Sequence, residues 1–316
     1  MVKKIFIDGE VGTTGLEIRQ RLSGRNDIEI LSLSEKWRKN KNARRERINS
    51  ADIVILCLPD KTAIQAVAMI DDAKTRVIDA STAHRVANDW VYGFPEYEAN
   101  HSKRIALANR VTNPGCYAIA SVGILHPLIK HGVLPAEWPI SINAISGYSG
   151  GGRDMINSFE KIGIRPHESS NVFFYGLTLE HKHLPEITHW AGLKNPPIFA
   201  PSVARYRKGM IIQVPITARS LPHQPKMDEI QEIYESYYKN CKFVEVSSIE
   251  NNKGAKKLNP EELNGTNILR IHVYGNDKNG QIIVAGLLDN LGKGASGQVV
   301  QNLNLMIGVP ESTGLI

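Results

Sequence analysis

Apolar runs alternate with polar, helix-forming stretches through the first third of the chain. Such runs predict strands at Lys4–Asp8, Ile28–Ser34, Ala51–Pro59, Arg76–Ser81 and Ile105–Asn109. The third run is continuously apolar, which is typical of a parallel strand buried on both faces. Strands alternating with helical stretches predict a doubly wound α/β domain with a parallel sheet.

The character of the pattern changes after about residue 117. Segments that resemble alternating strands occur at Ile140–Ile145, Met210–Ile216, Lys242–Val246 and Ile268–Tyr274, with a helix predicted at Asp228–Lys239. This second region therefore predicts an α+β domain with a mixed sheet. An apolar tail and a last glycine turn precede a final predicted helix, which we expect to return to the first domain.

A glycine-rich turn follows the first predicted strand. Gly9, Gly12 and Gly15 recur every three residues, with Thr13 and Thr14 between the last two. Glycines allow a tight turn and a close approach of the backbone to a pyrophosphate, and the N-terminus of the next helix favours an anion. The turn predicts a Rossmann-type dinucleotide site that includes these five residues.

The end of the second predicted strand bears on the choice of cofactor. An NAD site usually has an acidic residue there, which binds the ribose hydroxyls. Here Ser34 is followed by Glu35, Lys36 and Arg38. The hydroxyl and the two cations favour the 2′-phosphate of NADP, whereas Glu35 argues for NAD. We expect Ser34, Lys36 and Arg38 to contact NADP(H).

Cys116 follows Pro114-Gly115 and begins an apolar stretch that predicts a helix. Unpaired N–H groups and the helix dipole favour a thiolate in a first helical turn, and the thiolate is the nucleophilic form of cysteine. A small buried cysteine is the alternative. Cys57 lies inside an apolar strand and is most simply a core residue.

A cysteine enzyme needs an acid or base beside its thiol. The sequence His181-Lys182-His183-Leu184-Pro185-Glu186 offers two histidines and a carboxylate. On a helical turn His183 and Glu186 share a face, so the carboxylate can orient the imidazole. A surface histidine pair is the alternative, and the choice between His181 and His183 stays open. No spacing supports a zinc site.

Arginines in strand-end or glycine-rich loops are candidates for binding an anionic substrate, because a guanidinium matches carboxylate and phosphate. They are Arg85, Arg110 and Arg153, the last in the segment Ser146-Gly147-Tyr148-Ser149-Gly150-Gly151-Gly152-Arg153. Each is equally compatible with a solvated surface position.

Composition excludes several other classes of protein. The chain has 316 residues, three cysteines and a formal net charge of +6. Three cysteines form no disulfide framework, and no apolar run is long enough to span a bilayer. We therefore expect a cytoplasmic enzyme. The basic run from Lys36 to Arg47 lacks the aromatic interleaving of nucleic-acid modules, so a solvated helix face or a phosphate patch is expected.

Five segments in this order resemble N-acetyl-gamma-glutamyl-phosphate reductases of the shorter form. They are the first glycine turn, Asn113-Pro114-Gly115-Cys116-Tyr117, the Ser146–Arg153 segment, His181–Ile187, and Gly292-Lys293-Gly294-Ala295-Ser296-Gly297. The resemblance spans essentially the whole chain. The cysteine loop and the last glycine turn also resemble aspartate-semialdehyde dehydrogenases, whereas the histidine segment favours the glutamyl enzymes.

The resemblance implies NADPH-dependent reduction of N-acetyl-L-glutamyl 5-phosphate to the 5-semialdehyde, in arginine biosynthesis. Cys116 would form a thioester, with His183 and Glu186 handling protons; Gly292, Lys293 and Gly294 would join the cofactor site. Arg85, Arg110, Ser149 and Arg153 would bind the substrate. It also implies a dinucleotide domain at 1–117, a catalytic and dimerisation domain at 118–286, a C-terminal helix at 287–316, and a homodimer or homotetramer without nucleic-acid, membrane or metal partners.

Three other functions are compatible with parts of this pattern. An aspartate-semialdehyde dehydrogenase-type enzyme would perform the same chemistry on aspartyl phosphate or an aminoadipyl analogue. An NADP-binding redox sensor would need neither Cys116 nor the histidine segment. A thiol hydrolase would leave the first glycine turn unexplained.

Overall fold

The computed structural model describes residues 2–161 and 166–315, and the chain folds as two compact units. Unit 1 comprises Met1–Gly115 and Ala295–Ile316, and unit 2 comprises Cys116–Gly294. The second unit begins at the cysteine that the sequence singles out. Each unit contains one β-sheet.

Unit 1 contains a sheet of six parallel strands, so the predicted doubly wound α/β fold is confirmed. Its elements up to Gly115 are β1 (Lys3–Asp8), α1 (Thr13–Leu22), β2 (Ile28–Leu31), α2 (Lys41–Ser50), β3 (Ile53–Leu56), α3 (Asp60–Val67), β4 (Arg76–Asp79), β5 (Val91–Tyr92), α4 (His101–Leu107) and β6 (Arg110–Thr112). The strand order is β2-β1-β3-β4-β6-β5. The order reverses between β1 and β3, which is where open α/β sheets bind ligands.

The strand predicted at Ile105–Asn109 is wrong. Residues up to Leu107 belong to α4, and β6 begins only at Arg110. Ile105 is fully buried while Leu107 is 85% exposed, as expected for one apolar face of a helix. A five-residue apolar run has no periodicity that separates a short helix from a strand.

The basic run from Lys36 to Arg47 includes a buried member. Arg44 on α2 donates hydrogen bonds to both carboxylate oxygens of Asp8, at the end of β1, with a shortest distance of 2.7 Å. Burial raises the pKa of Asp8, and Arg44 opposes that effect. Arg44 thus fastens α2 to β1, whereas Arg45 forms an exposed ion pair with Asp71.

Unit 2 contains a mixed sheet of seven strands, which confirms the predicted class. Its elements are α5 (Cys116–Lys130), β7 (Ser141–Gly147), α6 (Gly152–Glu160), β8 (Val172–Phe174), α7 (Leu184–Ala191), β9 (Ile198–Ala204), β10 (Met210–Thr217), α8 (Met227–Tyr238), β11 (Val244–Val246), α9 (Ile249–Gly254), β12 (Leu269–Asn276) and β13 (Gln281–Leu288). The strand order is β11-β12-β13-β10-β7-β9-β8. The sequence pattern predicts neither β8 nor β9.

The last helix, α10 (Gly297–Ile307), belongs to unit 1. Val299, Val300 and Leu303 are fully buried in the same core cluster as Ile5 of β1. Arg76 at the start of β4 donates to carbonyls near the C-terminal ends of two helices, Met306 on α10 and Ala106 on α4. A cation at these positions also complements the negative ends of the helix dipoles.

Helix α5 is almost entirely apolar, and eleven of its residues are buried. Pro127 lies inside it and removes the N–H that would bond the carbonyl of Gly123. The hydroxyl of Tyr238 donates to that carbonyl at 2.8 Å, and the hydroxyl of Tyr234 donates to the carbonyl of Ile124 at 2.7 Å. Two tyrosines of α8 therefore stabilise α5 where the proline interrupts it.

We predict that Tyr238→Phe lowers the free energy of unfolding by about 1–3 kcal/mol, because it leaves a buried carbonyl without a donor. Tyr237→Phe, the same change at the neighbouring and more exposed position, should cost less. Denaturant unfolding of both variants measures the difference. Equal stability of the two variants would contradict the role given to Tyr238.

Candidate active site

Cys116 is the first residue of α5, as the sequence predicts, and it is partly exposed. The four residues after it are buried, so packing fixes the position of the helix start. The backbone of Gly294 approaches closely, since a Cβ at Gly294 would lie 2.8 Å from the Cβ of Cys116. The last glycine turn of the sequence therefore packs against the thiol-bearing residue.

A chain of hydroxyl groups begins at the residue after the cysteine. The Tyr117 hydroxyl lies 2.6 Å from Ser146 Oγ at the end of β7. The Tyr175 hydroxyl donates a hydrogen bond to the Tyr117 hydroxyl at 3.2 Å. Burial raises the pKa of Tyr175 to about 12, and charge on Cys116 acts in the same direction. Burial also raises the pKa of Tyr117 well above its usual value. Both phenols are hydrogen-bond donors at neutral pH.

Both histidine rings of the predicted acid–base segment contact Tyr117. The rings of His181 and His183 each lie 5.8 Å from the Tyr117 ring and 4.8 Å from one another, centroid to centroid. The structure thus brings His181 and His183 together beside the residue that follows Cys116.

The two histidines differ in their backbone environment. The amide of His183 donates to Nδ1 of His181 at 3.1 Å, so this nitrogen of His181 is an acceptor and carries no proton. His183 immediately precedes α7 and is 4% exposed. Glu186 lies in the first turn of α7 and is 1% exposed. Pro185 at the helix start is typical of that position.

The glycine-rich segment after β7 is held by backbone bonds. The amides of Gly147 and Ser149 donate to the carbonyls of Gly209 and Arg207. Ser149, predicted to bind substrate, is 1% exposed, and its Oγ accepts a hydrogen bond from Asn290 at 3.0 Å. Arg153 lies near the start of α6 and is exposed.

Arg85 lies in the loop after β4, at the carboxyl edge of the unit 1 sheet. The preceding residues are ordered by Asp79, which accepts hydrogen bonds from Ser81 and lies 2.6 Å from Nδ1 of His84. Arg110, in contrast, is the first residue of β6 and lies where the parallel strands begin, opposite to their carboxyl ends. Its side chain donates to the carbonyl of Thr75 at 2.9 Å. Of these two arginines, Arg85 has the position of a ligand-binding residue.

The first glycine turn is packed so tightly that two of its positions exclude a side chain. Gly9 has a φ of +93°, and a Cβ there would lie 2.3 Å from the carbonyl oxygen of Cys57. A Cβ on Gly15 would lie 2.5 Å from the carbonyl oxygen of Gly9. Gly12 caps α1, whose first turn begins with Thr13 and Thr14 and holds no acidic residue. The helix start is thus suited to a pyrophosphate.

A cavity of about 350 Å³ adjoins this turn and the end of β2. Its polar lining consists of Glu10, Arg19, Ser32 and Arg38. Arg19 donates to Ser32 Oγ at 2.7 Å and pairs with Glu10. Of the residues predicted to select NADP, only Arg38 lines the cavity.

The other two residues predicted to select NADP lie elsewhere. Lys36 is exposed and its ammonium lies over the Trp37 ring, 5.2 Å from the centroid. Ser34 uses its carbonyl to accept from the amides of Trp37 and Arg38.

The first three residues of the last glycine turn, Gly292 to Gly294, are buried and belong to unit 2. A Cβ on Gly292 would lie 2.3 Å from the carbonyl oxygen of Thr266. Lys293 is fully buried, and its ammonium lies 5.6 Å from the centroid of the Phe243 ring. With Gly294 against Cys116, this turn has close packing partners at each of its first three residues.

Two kinds of feature are absent from the described part of the chain. Across residues 2–161 and 166–315, no group of three or more metal-ligating side chains occurs. In the same part of the chain, no helix is long and apolar enough to cross a membrane.

Sequence reasoning missed Tyr117, Ser146 and Tyr175 as site residues, and Arg19 and Ser32 as cavity residues. Tyr117 and Ser146 both lie within motifs that the sequence analysis quotes. The remaining three gave no local signal, because only the tertiary fold brings them to these sites.

The two units match two family models. Residues 4–105 match the semialdehyde dehydrogenase NAD binding domain, and residues 116–290 match the semialdehyde dehydrogenase dimerisation domain. Aspartate semialdehyde dehydrogenase II of Vibrio cholerae has a similar structure, with a TM-score of 0.68 over 98% of this chain and 99% of that chain. At 14% identity this likeness concerns the fold alone.

Relatives with much higher identity span the whole chain. N-acetyl-gamma-glutamyl-phosphate reductase 2 of Pseudomonas putida is 47% identical over 310 residues, covering 98% of both chains. N-acetyl-gamma-glutamyl-phosphate reductase 2 of a Nostoc species is 43% identical over 318 residues, covering 99% of both. On this full-length similarity, the chain belongs to the N-acetyl-gamma-glutamyl-phosphate reductase family, within the semialdehyde dehydrogenases.

Proposed function

We propose that this protein reduces N-acetyl-L-glutamyl 5-phosphate to N-acetyl-L-glutamate 5-semialdehyde with NADPH, as a step of arginine biosynthesis. The observation that carries the proposal is the thiol of Cys116 at the start of a buried helix, beside Tyr117 and its two histidine contacts. The names of the full-length relatives support the choice of substrate.

The reaction begins with attack of the Cys116 thiolate on the acyl carbon. The bond from that carbon to the phosphate oxygen breaks, and phosphate leaves with the electron pair, which gives a thioester. When bound, NADPH would supply a hydride to the thioester carbon, which gives a tetrahedral oxyanion. The oxyanion takes up a proton to form a thiohemiacetal and returns that proton to the same donor as the carbon–sulfur bond breaks, which releases the aldehyde and restores the thiolate.

Each proton step needs a donor or acceptor beside the thiol, and we assign this role to His183. Its burial next to Tyr117 removes it from bulk water. Glu186, buried in the first turn of α7, orients the ring. Backbone amides at the start of α5 stabilise the oxyanion, since helix N-termini present unpaired N–H groups. Arg85 is the anion-binding candidate in the β4 loop.

The cofactor is assigned to unit 1 because the tightly packed turn from Gly9 to Gly15 leads directly into the start of α1, which favours a pyrophosphate. The 2′-phosphate of NADPH is assigned to Arg19, Ser32 and Arg38, in place of Ser34 and Lys36. Two arginines and one carboxylate, Glu10, line that cavity, and the second arginine, Arg38, also pairs with the exposed Glu35 at 3.4 Å. Arginine is well suited to bind phosphate through two parallel hydrogen bonds.

Unit 1 is thus proposed to bind the dinucleotide, and unit 2 to carry the nucleophile and the contacts between subunits. The match of residues 116–290 to a dimerisation domain supports self-association through unit 2. A homodimer or homotetramer acting on a small acyl phosphate in the cytoplasm is the expected form.

The first prediction concerns the nucleophile. Cys116→Ser should abolish turnover and leave NADPH binding nearly unchanged, because a serine hydroxyl is a far poorer nucleophile near neutral pH. Iodoacetamide should label Cys116 well before Cys57, whose pKa is raised to about 12 by burial and by Asp79 and Asp8. Substantial turnover by the serine variant, or equal labelling, would disprove the covalent role.

The second prediction separates the two histidines. His183→Asn should lower kcat by about 10²–10⁴-fold, the range that general acid–base catalysis supplies. His181→Asn is the matched control and should cost less, because Nδ1 of His181 serves a backbone amide. Steady-state rates with N-acetyl-L-glutamyl 5-phosphate measure both. If the order of the two effects is reversed, the roles must be exchanged.

The third prediction concerns cofactor choice. Arg19→Ala and Arg38→Ala should each lower the ratio of kcat/KM for NADPH to that for NADH by about 10- to 100-fold, the value of one charge-assisted hydrogen bond. Lys36→Ala is the matched control and should leave the ratio nearly unchanged. An effect confined to Lys36→Ala would restore the assignment that the sequence alone suggests.

A further inference from the structure

The cavity of about 350 Å³ beside the first glycine turn contains a carboxylate to which the proposed function gives no role. Glu10 belongs to the turn itself, and it lines the cavity together with Arg19 and Ser32. The backbone of Glu10 is closely packed, because a Cβ on Gly15 would lie 2.8 Å from the Cα of Glu10. The turn therefore limits where this carboxylate can lie.

Glu10 forms a closed set of hydrogen bonds with Arg19 and Ser32. Nη1 of Arg19 donates to Oε2 of Glu10 and, at 2.7 Å, to Oγ of Ser32. The Ser32 hydroxyl in turn donates to the same oxygen of Glu10 at 3.3 Å. Within residues 2–161 and 166–315, the other oxygen of Glu10, Oε1, accepts no hydrogen bond, and the side chain is 14% exposed. The carboxylate thus keeps acceptor positions for a ligand.

This carboxylate lies where a dinucleotide domain usually has an acidic residue. In NAD sites that residue ends the second strand and binds the ribose hydroxyls. Here β2 ends at Leu31, and the three residues that follow it carry no charge. Strands β1 and β2 are parallel neighbours, so the turn after β1 lies beside the end of β2. From that turn Glu10 reaches Ser32 and supplies the carboxylate that the end of β2 lacks.

The same cavity contains the groups assigned above to the 2′-phosphate of NADPH. A dianionic phosphate beside Arg19 competes with Glu10 for the guanidinium, and the two anions repel each other at close range. A ribose hydroxyl carries no charge, so it can donate a hydrogen bond to Glu10 while the ion pair with Arg19 is kept. The phosphorylated and unphosphorylated cofactors therefore interact with Glu10 in opposite ways.

We propose that Glu10 determines cofactor choice and that it allows NADH to bind at this site as well as NADPH. With NADH, the carboxylate accepts a hydrogen bond from the 2′-hydroxyl of the adenosine ribose. With NADPH, the 2′-phosphate replaces Glu10 as the partner of Arg19, and the repulsion from Glu10 limits the preference for this cofactor. The inference rests on the dinucleotide site proposed for unit 1, but not on the reaction proposed for Cys116.

Direct binding tests the role of Glu10 without turnover. The fluorescence of NADH and of NADPH, titrated with the unaltered protein and with Glu10→Gln, gives a Kd for each pair. Both cofactors should bind the unaltered protein saturably. Glu10→Gln keeps the shape of the side chain but removes its charge, so it should weaken NADH binding and strengthen NADPH binding. The ratio of the Kd for NADH to the Kd for NADPH should rise by at least about tenfold, because a charge-assisted hydrogen bond becomes a neutral one and a repulsion is removed.

Glu29→Gln is the matched control. It makes the same change at an exposed position of β2 that does not line the cavity, and it should leave both Kd values unchanged. A merely structural role of Glu10 would weaken both cofactors together, so parallel shifts in Glu10→Gln would overturn the proposal. Saturable binding of NADPH but not of NADH by the unaltered protein would overturn it as well.

The same titrations separate this inference from the proposed function. If neither cofactor binds the unaltered protein, the dinucleotide site of unit 1 is disproved together with the role of Glu10. If both bind and only the ratio fails to change in Glu10→Gln, the dinucleotide site stands and the role of Glu10 is disproved.

Discussion

Burial of α5 is the constraint on which the candidate active site depends. The helix has apolar side chains around nearly its whole circumference, so packing against its neighbours is the main constraint on its position in unit 2. Its first residue is Cys116, and the thiol is therefore held in the first turn, where helix geometry gives the amides no partner within the helix itself. Pro127 would weaken such a helix, and the tyrosine hydroxyls of α8 supply the missing hydrogen bond.

The surroundings of the thiol follow from the same packing. Tyr117, the next residue, is anchored to Ser146 and contacts both histidine rings. A buried phenol with a raised pKa stays protonated, so it orders these groups without adding charge. The proposed mechanism therefore gives proton transfer to a histidine, whose usual pKa is nearer to neutrality.

Continuous apolar patterns and local motifs were enough to predict most of the fold and the position of Cys116 at the start of α5. The apolar sequence runs that form β3 and α5 are long and almost uninterrupted. The run Ile105–Asn109, in contrast, is too short to distinguish a helix from a strand. Strand β9 contains Pro201, which argues against an interior strand although Pro201 pairs with Ala144 there. The cavity beside the first glycine turn combines Arg19 from α1 with Ser32 after β2, a pairing that only the tertiary fold creates.

The most direct test of the account is phosphate release in the absence of NADPH. Enzyme mixed with N-acetyl-L-glutamyl 5-phosphate alone should release phosphate in a rapid burst that is stoichiometric with Cys116. Mass spectrometry of the quenched protein should then show the acyl group on the peptide that contains Cys116. A burst that requires NADPH, or an acyl group on another residue, would contradict a thioester formed before reduction.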